Sequence, residues 1–170
     1  GRELEGVLMK EQDEGQPDGW RHLEDPKVVK ENFKDFSGGT AEVISSIENV
    51  YKWGLFRYPL KQSWYNDRVI LIGDAAHPTL PFLAQGAAMA IEDSFVLASK
   101  IFEFSNSFVA FKEFRRERFP RVRRVVLAST KNAHIFHLSN IISRRVFQVS
   151  LRFLSKFFPH LLVKRFNWIY

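Results

Sequence analysis

The 170-residue chain contains no cysteine. That excludes disulfides, thiolate zinc sites and cysteine nucleophiles together. No apolar run reaches the ~18–20 residues that a membrane-spanning helix requires. No basic segment followed by an apolar core marks a secretory signal, and a chain that starts at Gly1 rather than Met is expected to be a piece of something longer. There is no G-x-S-x-G elbow, no Walker loop and no dinucleotide-binding G-x-G-x-x-G. His22, His77, His134, His137 and His160 show no metal-ligand spacing with carboxylates; His134 and His137 stand three apart on an expected helix, but no third ligand accompanies them. Acid is scarce at one end. Residues 111–170 carry 14 Lys/Arg against only Glu113 and Glu117, a net of +12, whereas residues 1–110 carry 11 against 17, a net of −6.

What is present is the composition of a globular protein, 45% hydrophobic and 26% charged, at about one domain's length. The basic end is open to several readings: nucleic acid, an anionic membrane surface, an acidic partner, or solvated helices whose basic faces meet acidic residues elsewhere. Its Arg residues are dispersed among apolar positions, and many of the 17 Phe lie there too. A phosphate-binding surface does not need so many Phe; a hydrophobic interface does. No nucleic-acid partner is therefore expected.

Along the chain, residues 3–11 read as a short strand, and Gln12–Gly19 as a turn. After Asp25-Pro26, helical spacing of Val28, Val29 and Phe33 predicts a helix over Lys27–Phe36 that Gly38-Gly39 stops. A second short helix starts near Thr40 and carries Val43, Ile44 and Ile47. Val50–Tyr58 reads as a strand ended by Pro59, with a turn at Trp64–Asp67. Arg68–Ile72 (RVILI) is a short β-branched apolar run, which predicts a strand buried on both faces. A proline-bounded loop, Pro78–Leu83, leads to a helix from about Gly86 to Phe104, with Ala90, Ile91, Phe95, Leu97 and Ala98 facing inward. A second long helix spans Ser107–His134 with Pro120 inside it, and Leu138–Trp168 is helical with a break at Phe158-Pro159.

The chemistry concentrates in the middle. Gly73-Asp74 at the end of a buried parallel strand places a carboxylate at the sheet's carboxyl edge, where α/β folds bind ligands. Asp74 can accept hydrogen bonds from sugar-alcohol hydroxyls, or cap the next turn. Gly73 lets the backbone pass close to a ligand. Gln85-Gly86-Ala87-Ala88 opens a helix whose first amides lack partners, either a site for partial negative charge or an ordinary helix start. Pro78 and Pro81 stiffen the loop between them. His77 either contacts a ligand or is satisfied by backbone, with no general-base role expected. Glu92-Asp93 reads as a structural carboxylate pair fixing nearby backbone or Arg side chains.

The whole segment Arg68–Asp93, RVILIGDAAHPTLPFLAQGAAMAIED, resembles the second FAD-binding motif of flavin-dependent aromatic hydroxylases, single-component monooxygenases with the p-hydroxybenzoate hydroxylase fold. The salicylate hydroxylase-like branch is the nearest likeness. Trp53-x-Leu55-Phe56-Arg57-x-Pro59-Leu60 followed by Trp64 is similar to the strand and turn that precede the motif. Phe111–Arg124 resembles the family's arginine-rich helix, His137 falls where a His often follows, and Asn167-Trp168-Ile169-Tyr170 resembles its closing signature.

The resemblance implies the C-terminal part of an α/β FAD/NAD(P)-binding fold: helix-rich, with strands of the substrate sheet and one buried strand of the FAD-domain sheet. Residues 1–66 end the substrate-binding domain, 67–134 carry the motif strand and helices, and 135–170 form a helical tail. Gly73, Asp74, Pro81, Gln85, Gly86, Ala87 and Ala88 are then the cofactor-binding residues. Asp74 is directed at the flavin ribityl chain, the Gly86–Ala88 amides at the N1–C2=O edge, and the Pro81 loop lies near the ring. Arg57 could hold an aromatic carboxylate, or pair with an acidic residue. No catalytic residue is singled out beyond the Pro81 loop. The implied activity is hydroxylation of a phenolic or salicylate-like substrate with FAD, NAD(P)H and O₂. The N-terminal FAD-binding half, which carries the G-x-G-x-x-G, is expected to come from the same longer chain or a separate polypeptide. Two alternatives stand beside this: a non-catalytic remnant or interaction module of the fold, and a basic amphipathic protein making peripheral membrane contact. The expected compartment is cytoplasmic.

Overall fold

The computed structural model describes residues 6–10, 19, 22–56, 58–164 and 166–169. The chain forms two compact units, Gly1–Phe56 and Arg57–Tyr170.

The first unit holds an antiparallel pair, β1 (His22–Glu24) and β2 (Val50–Lys52), in the register His22–Lys52, Leu23–Tyr51 and Glu24–Val50. Lys52 Nζ meets Glu24 across it at 3.2 Å. Helix α1 (Pro26–Asn32) begins where the sequence says it should: Asp25 accepts from the Lys27 amide, and Pro26 occupies the first turn, where its missing N–H costs nothing. It ends four residues sooner than the spacing predicts, in a turn over Phe33–Phe36. Helix α2 (Gly39–Ser45) buries Ile44. Two strand expectations are corrected. Gly6–Lys10, the described part of residues 3–11, forms no strand. The strand expected over Val50–Tyr58 stops at Lys52, because β1 offers only three partners.

In the second unit, Trp64–Leu71 folds back on itself. Asn66 Oδ1 accepts from the Arg68 and Val69 amides, Asn66 N–H donates to Val69, and Leu71 N–H donates to Trp64. Arg68–Ile72, expected as a strand buried on both faces, has one bridge, Ile70 to Tyr65, and leaves Val69 and Leu71 exposed. The residues are extended at Ile72, but among the described residues no segment lies beside them as a ladder partner. Short 3-10 turns follow at Gly73–Ala75 and Pro81–Leu83.

Helices α3 (Gly86–Glu103) and α4 (Ser107–Phe136) make the core. Asn106 caps α4 by accepting from the Phe108 and Val109 amides, and the helix runs unbroken through Pro120. Trp64, Met89, Phe114, Val122 and Val125 are fully buried together, each stabilising the unit by about 1.5–3 kcal/mol relative to exposure. The Trp64 indole donates to the Lys61 carbonyl at 3.0 Å, so its burial leaves no orphaned N–H. The inward face of α3 differs from the apolar reading. Met89 and Asp93 are buried, whereas Ile91 and Phe95 are more than 70% exposed. A charged network, described below, decides which face turns inward.

Helix α5 (Ile141–Phe157) is capped by Asn140, and α6 (Pro159–Lys164) follows the expected break. Neither buries a residue. The closing Asn167–Ile169 turn comes back to the core: Arg124 lies over the Trp168 ring at 4.1 Å, and Ile169 is buried. No described helix is long and apolar enough to cross a membrane.

Candidate functional site

The segment from Gly73 to Ala88 runs along α3 and α4, and most of the residues singled out in the sequence lie on it. Gly73 is buried with φ +55°, and a methyl group there would stand 3.1 Å from Ala90 Cβ. Its glycine is therefore required twice, for the left-handed backbone and for contact with α3. Its N–H donates to Asp93 Oδ2 at 2.9 Å. The close approach seen here is to a helix of the chain itself.

Asp74, one residue on, is exposed. Its carboxylate lies beside the start of α3: a methyl added to Gly86 would stand 3.8 Å from Asp74 Oδ1. Gln85 makes no side-chain cap, and the first turn-closing bond of α3 runs from the Met89 amide to the Gln85 carbonyl. The amides of Gly86, Ala87 and Ala88 precede that bond, where no intrahelical carbonyl reaches them. An 18-residue helix directs the positive end of its dipole at the same place. Acceptor and donors thus stand side by side at one edge. Pro81 opens the 3-10 turn in the intervening loop and is exposed. Ala84 completes the loop at φ 51°, a left-handed conformation that non-glycine residues seldom adopt. Arg57 lies outside the described residues.

Beneath this edge is a buried charge network. Asp93 is fully buried and accepts three times: from Gly73 N–H, from His77 Nε2 at 2.6 Å and from Arg118 Nε at 2.7 Å. Arg118, 5% exposed, also reaches Glu92 through Nη1 at 2.7 Å and the Met89 carbonyl through Nη2 at 3.4 Å. Arg121 donates to Glu92 from Nε at 2.6 Å and again from Nη2. Burial pushes the Asp93 carboxyl up, but the bonds from His77, the Gly73 amide and Arg118 outweigh it and hold it below the usual range. Glu92 is lowered chiefly by its hydrogen bond from Arg121, against the opposing effect of burial.

The expectation that Glu92-Asp93 fixes backbone and Arg side chains is met on both counts. Two of the basic residues at 111–170 find acidic partners of the preceding helix here, since Arg118 meets Glu92 and Asp93 and Arg121 meets Glu92. His77 is corrected: its ring is held by a carboxylate rather than by backbone. It packs on Trp64 with 5.3 Å between centroids, and its Nδ1 has no partner. Among the described residues no group of three His, Asp or Glu could hold a metal.

Sequence reasoning missed the contribution of α4 to the loop. Ser129 Oγ donates to the Leu80 carbonyl at 2.6 Å, and Asn132 Nδ2 to the Phe82 carbonyl at 3.3 Å. Two buried small polar residues a turn apart on the helix, Ser129 and Asn132, were the available signal.

The chain is 36% identical over 126 residues to the 3-amino-4-hydroxybenzoate 2-monooxygenase PtnB3 of Streptomyces platensis, covering 74% of this chain and 32% of that protein. It is 35% identical over 129 residues to a 3-hydroxybenzoate 6-hydroxylase of Polaromonas naphthalenivorans, with the same shares covered. The 6-hydroxynicotinate 3-monooxygenase of Bordetella bronchiseptica is 40% identical over 89 residues, 49% of this chain and 23% of that one. In fold the chain is similar to Klebsiella pneumoniae HpxO, solved with FAD and uric acid, at a TM-score of 0.62 and 23% identity, over 75% of this chain and 33% of that one. The chain spans about a third of the length of the first two relatives. Residues 7–129 match the model of the FAD binding domain family, and the chain belongs to that family.

Proposed function

We propose that this chain supplies the flavin-facing part of an FAD-dependent monooxygenase that hydroxylates a phenolic or salicylate-like ring with NAD(P)H and O₂. The observation that carries the reading is the pairing of the exposed Asp74 carboxylate with the open amides of Gly86–Ala88. The pair fits its ligand chemically. A carboxylate accepts from ribityl hydroxyls, and free amides at a helix N-terminus stabilise partial negative charge on a flavin edge. The cofactor, when bound, supplies the redox and oxygen chemistry. Asp74 and Gln85–Ala88 orient it, Pro81 keeps its loop stiff beside the ring, and Gly73 sets where Asp74 stands. Arg57 is the candidate to hold a substrate carboxylate. In this reading residues 1–66 end the substrate-binding part, 67–134 carry the flavin motif, and 135–170 form the tail. The nucleotide-binding fingerprint absent from this sequence belongs to an N-terminal half, in the same longer chain or in a separate polypeptide.

Riboflavin and FAD titrated into the isotope-labelled chain test this by amide chemical shifts. Both ligands are expected to perturb Gly73–Ala88 and to bind weakly with similar affinity, because the chain offers nothing to the adenylate part. Asp74→Ala is expected to weaken both about tenfold, the value of a hydrogen bond to a charged acceptor. Unperturbed amides at Gly73–Ala88 sink the reading.

A second reading, contact with an anionic membrane surface, is favoured by α5. Ile142, Val146, Val149, Phe153 and Phe157 are all exposed along one stripe of the helix, Arg145, Arg152 and Lys156 flank one edge of that stripe, and no acidic residue follows Glu117. An apolar stripe with a basic edge suits the headgroup boundary. The full chain is expected to sediment with phosphatidylglycerol vesicles and to be released by salt. Equal recovery in the supernatant with anionic and neutral vesicles removes this second reading.

A further inference from the structure

The loop between Asp74 and the open helix amides is gripped from two sides by residues that have no place in the binding edge itself. At its start, Asp93 takes the Gly73 N–H and the His77 ring, and is itself held by Arg118 from α4. In its middle, Ser129 and Asn132 of α4 take the Leu80 and Phe82 carbonyls. All three α4 residues are less than 9% exposed, so each bond forms away from competing water. The Phe82 ring adds packing against Phe136 and His137, with 5.7 Å between centroids in each case. Between these grips and α3 stands Ala84, at φ 51°. A non-glycine residue persists in that conformation only where its surroundings over-determine it.

The geometry points to α4 as the positioning element of the flavin loop. Arg118, acting through Asp93, and Ser129 with Asn132 fix the Gly73–Ala84 backbone at two independent points. The spacing between the Asp74 carboxylate, the Pro81 turn and the Gly86–Ala88 amides is therefore set before any ligand arrives. Ligand affinity then benefits from ordering already completed in the free protein. This role rests on the flavin reading above for its ligand, but not for the grip. None of the four gripping residues is a catalytic residue.

Amide hydrogen exchange on the full chain separates this from ordinary packing, because the loop has reporters for each grip. Gly73, Ala76 and His77 amides report on the first, being bonded to Asp93, Gly73 and Gly73 respectively; the Ala84 amide, bonded to the Pro81 carbonyl, reports on the second. The double variant Ser129→Ala/Asn132→Ala is expected to speed Ala84 exchange about tenfold or more, with Gly73, His77 and the α4 core amides Val122 and Val125 unchanged. Asp93→Asn is expected to do the converse. Should all these amides accelerate together, the residues support stability alone and the proposal is overturned; it is equally overturned if Ala84 is unmoved in the double variant. Should Asp93→Asn fail to fold, the double variant still decides.

Riboflavin titration of the double variant then tests the link to the ligand. Affinity is expected to fall at least about fivefold, reflecting a loop that must be ordered on binding. Unchanged affinity with a loosened Ala84 overturns the positioning role. If the unaltered chain binds no flavin, the flavin reading fails separately, and the exchange pattern alone decides whether the grip exists.

Discussion

Asp93→Ala is expected to lower the unfolding free energy of the helical unit by about 3–5 kcal/mol, from about 1–3 kcal/mol for each buried donor left without an acceptor together with a small cavity. The size follows from what is left behind. Asp93 is fully buried and serves three donors. Arg118 keeps Glu92 and the Met89 carbonyl, so its charge is not abandoned. His77 is worse placed: its Nδ1 already lacks a partner, and the substitution takes the partner of Nε2 as well. The Gly73 amide loses its acceptor in the same step. A cavity of a few atoms adds to the loss. Asp93→Asn, which keeps shape and one acceptor oxygen, is expected to cost less.

The same carboxylate gives the effect a pH signature. Asp93 and Glu92 both titrate below their ordinary values in the folded protein. A carboxyl with a depressed folded pKa contributes stability that is fully present above its unfolded value of about 4, and that is lost as pH falls through the folded value. The penalty of Asp93→Ala should therefore be complete at pH 7 and shrink below about pH 4, as the unaltered chain loses the same interaction by protonation. Urea unfolding followed by circular dichroism at pH 7 and pH 3 measures both numbers. A penalty below about 1 kcal/mol at neutral pH, or one that is the same at both pH values, contradicts the network as described.

Residue patterns revealed the helices well and the ladder poorly, for a physical reason. A helix bonds to itself, so Gly86–Glu103, Ser107–Phe136 and the break at Phe158-Pro159 follow from local spacing and punctuation. A strand bonds to something else. Arg68–Ile72 has the composition of a central strand, but composition says nothing of which neighbour lies beside it, and only one bridge forms. The inward face of α3 misled for a related reason. Hydropathy ranks Ile91 and Phe95 above Asp93, yet a carboxylate with three donors buries completely while those two side chains stay exposed.

The candidate site was legible because its parts, Gly73-Asp74 and Gln85-Gly86-Ala87-Ala88, lie in one continuous motif. The grip of α4 was not, since Ser129 and Asn132 bond to carbonyls 49 and 50 residues earlier. Backbone carbonyls leave no trace in a sequence.

Gly73→Ala is the second large expected effect, about 2–3 kcal/mol of lost stability, made of two separable parts. An alanine held at φ +55° costs about 1–2 kcal/mol relative to glycine, because its Cβ crowds the following carbonyl. The new methyl must also stand 3.1 Å from Ala90 Cβ, tighter than ordinary carbon contact, and here neither neighbour is the flexible end of a long side chain. Ala90→Gly separates the two. It removes the obstructing methyl at the cost of about 1 kcal/mol of helix propensity in its own right. In that background Gly73→Ala should cost only its backbone part, leaving a coupling of about 1 kcal/mol between the two sites in a double-mutant cycle. Strict additivity would mean that α3 yields and the contact is unimportant. Because Gly73 also carries the N–H bound by Asp93 and immediately precedes Asp74, any shift that relieves the clash moves the carboxylate that faces the open amides of α3. Riboflavin affinity should therefore fall with Gly73→Ala and recover in part when Ala90→Gly is added, although the pair together only exchanges which of the two positions carries the glycine.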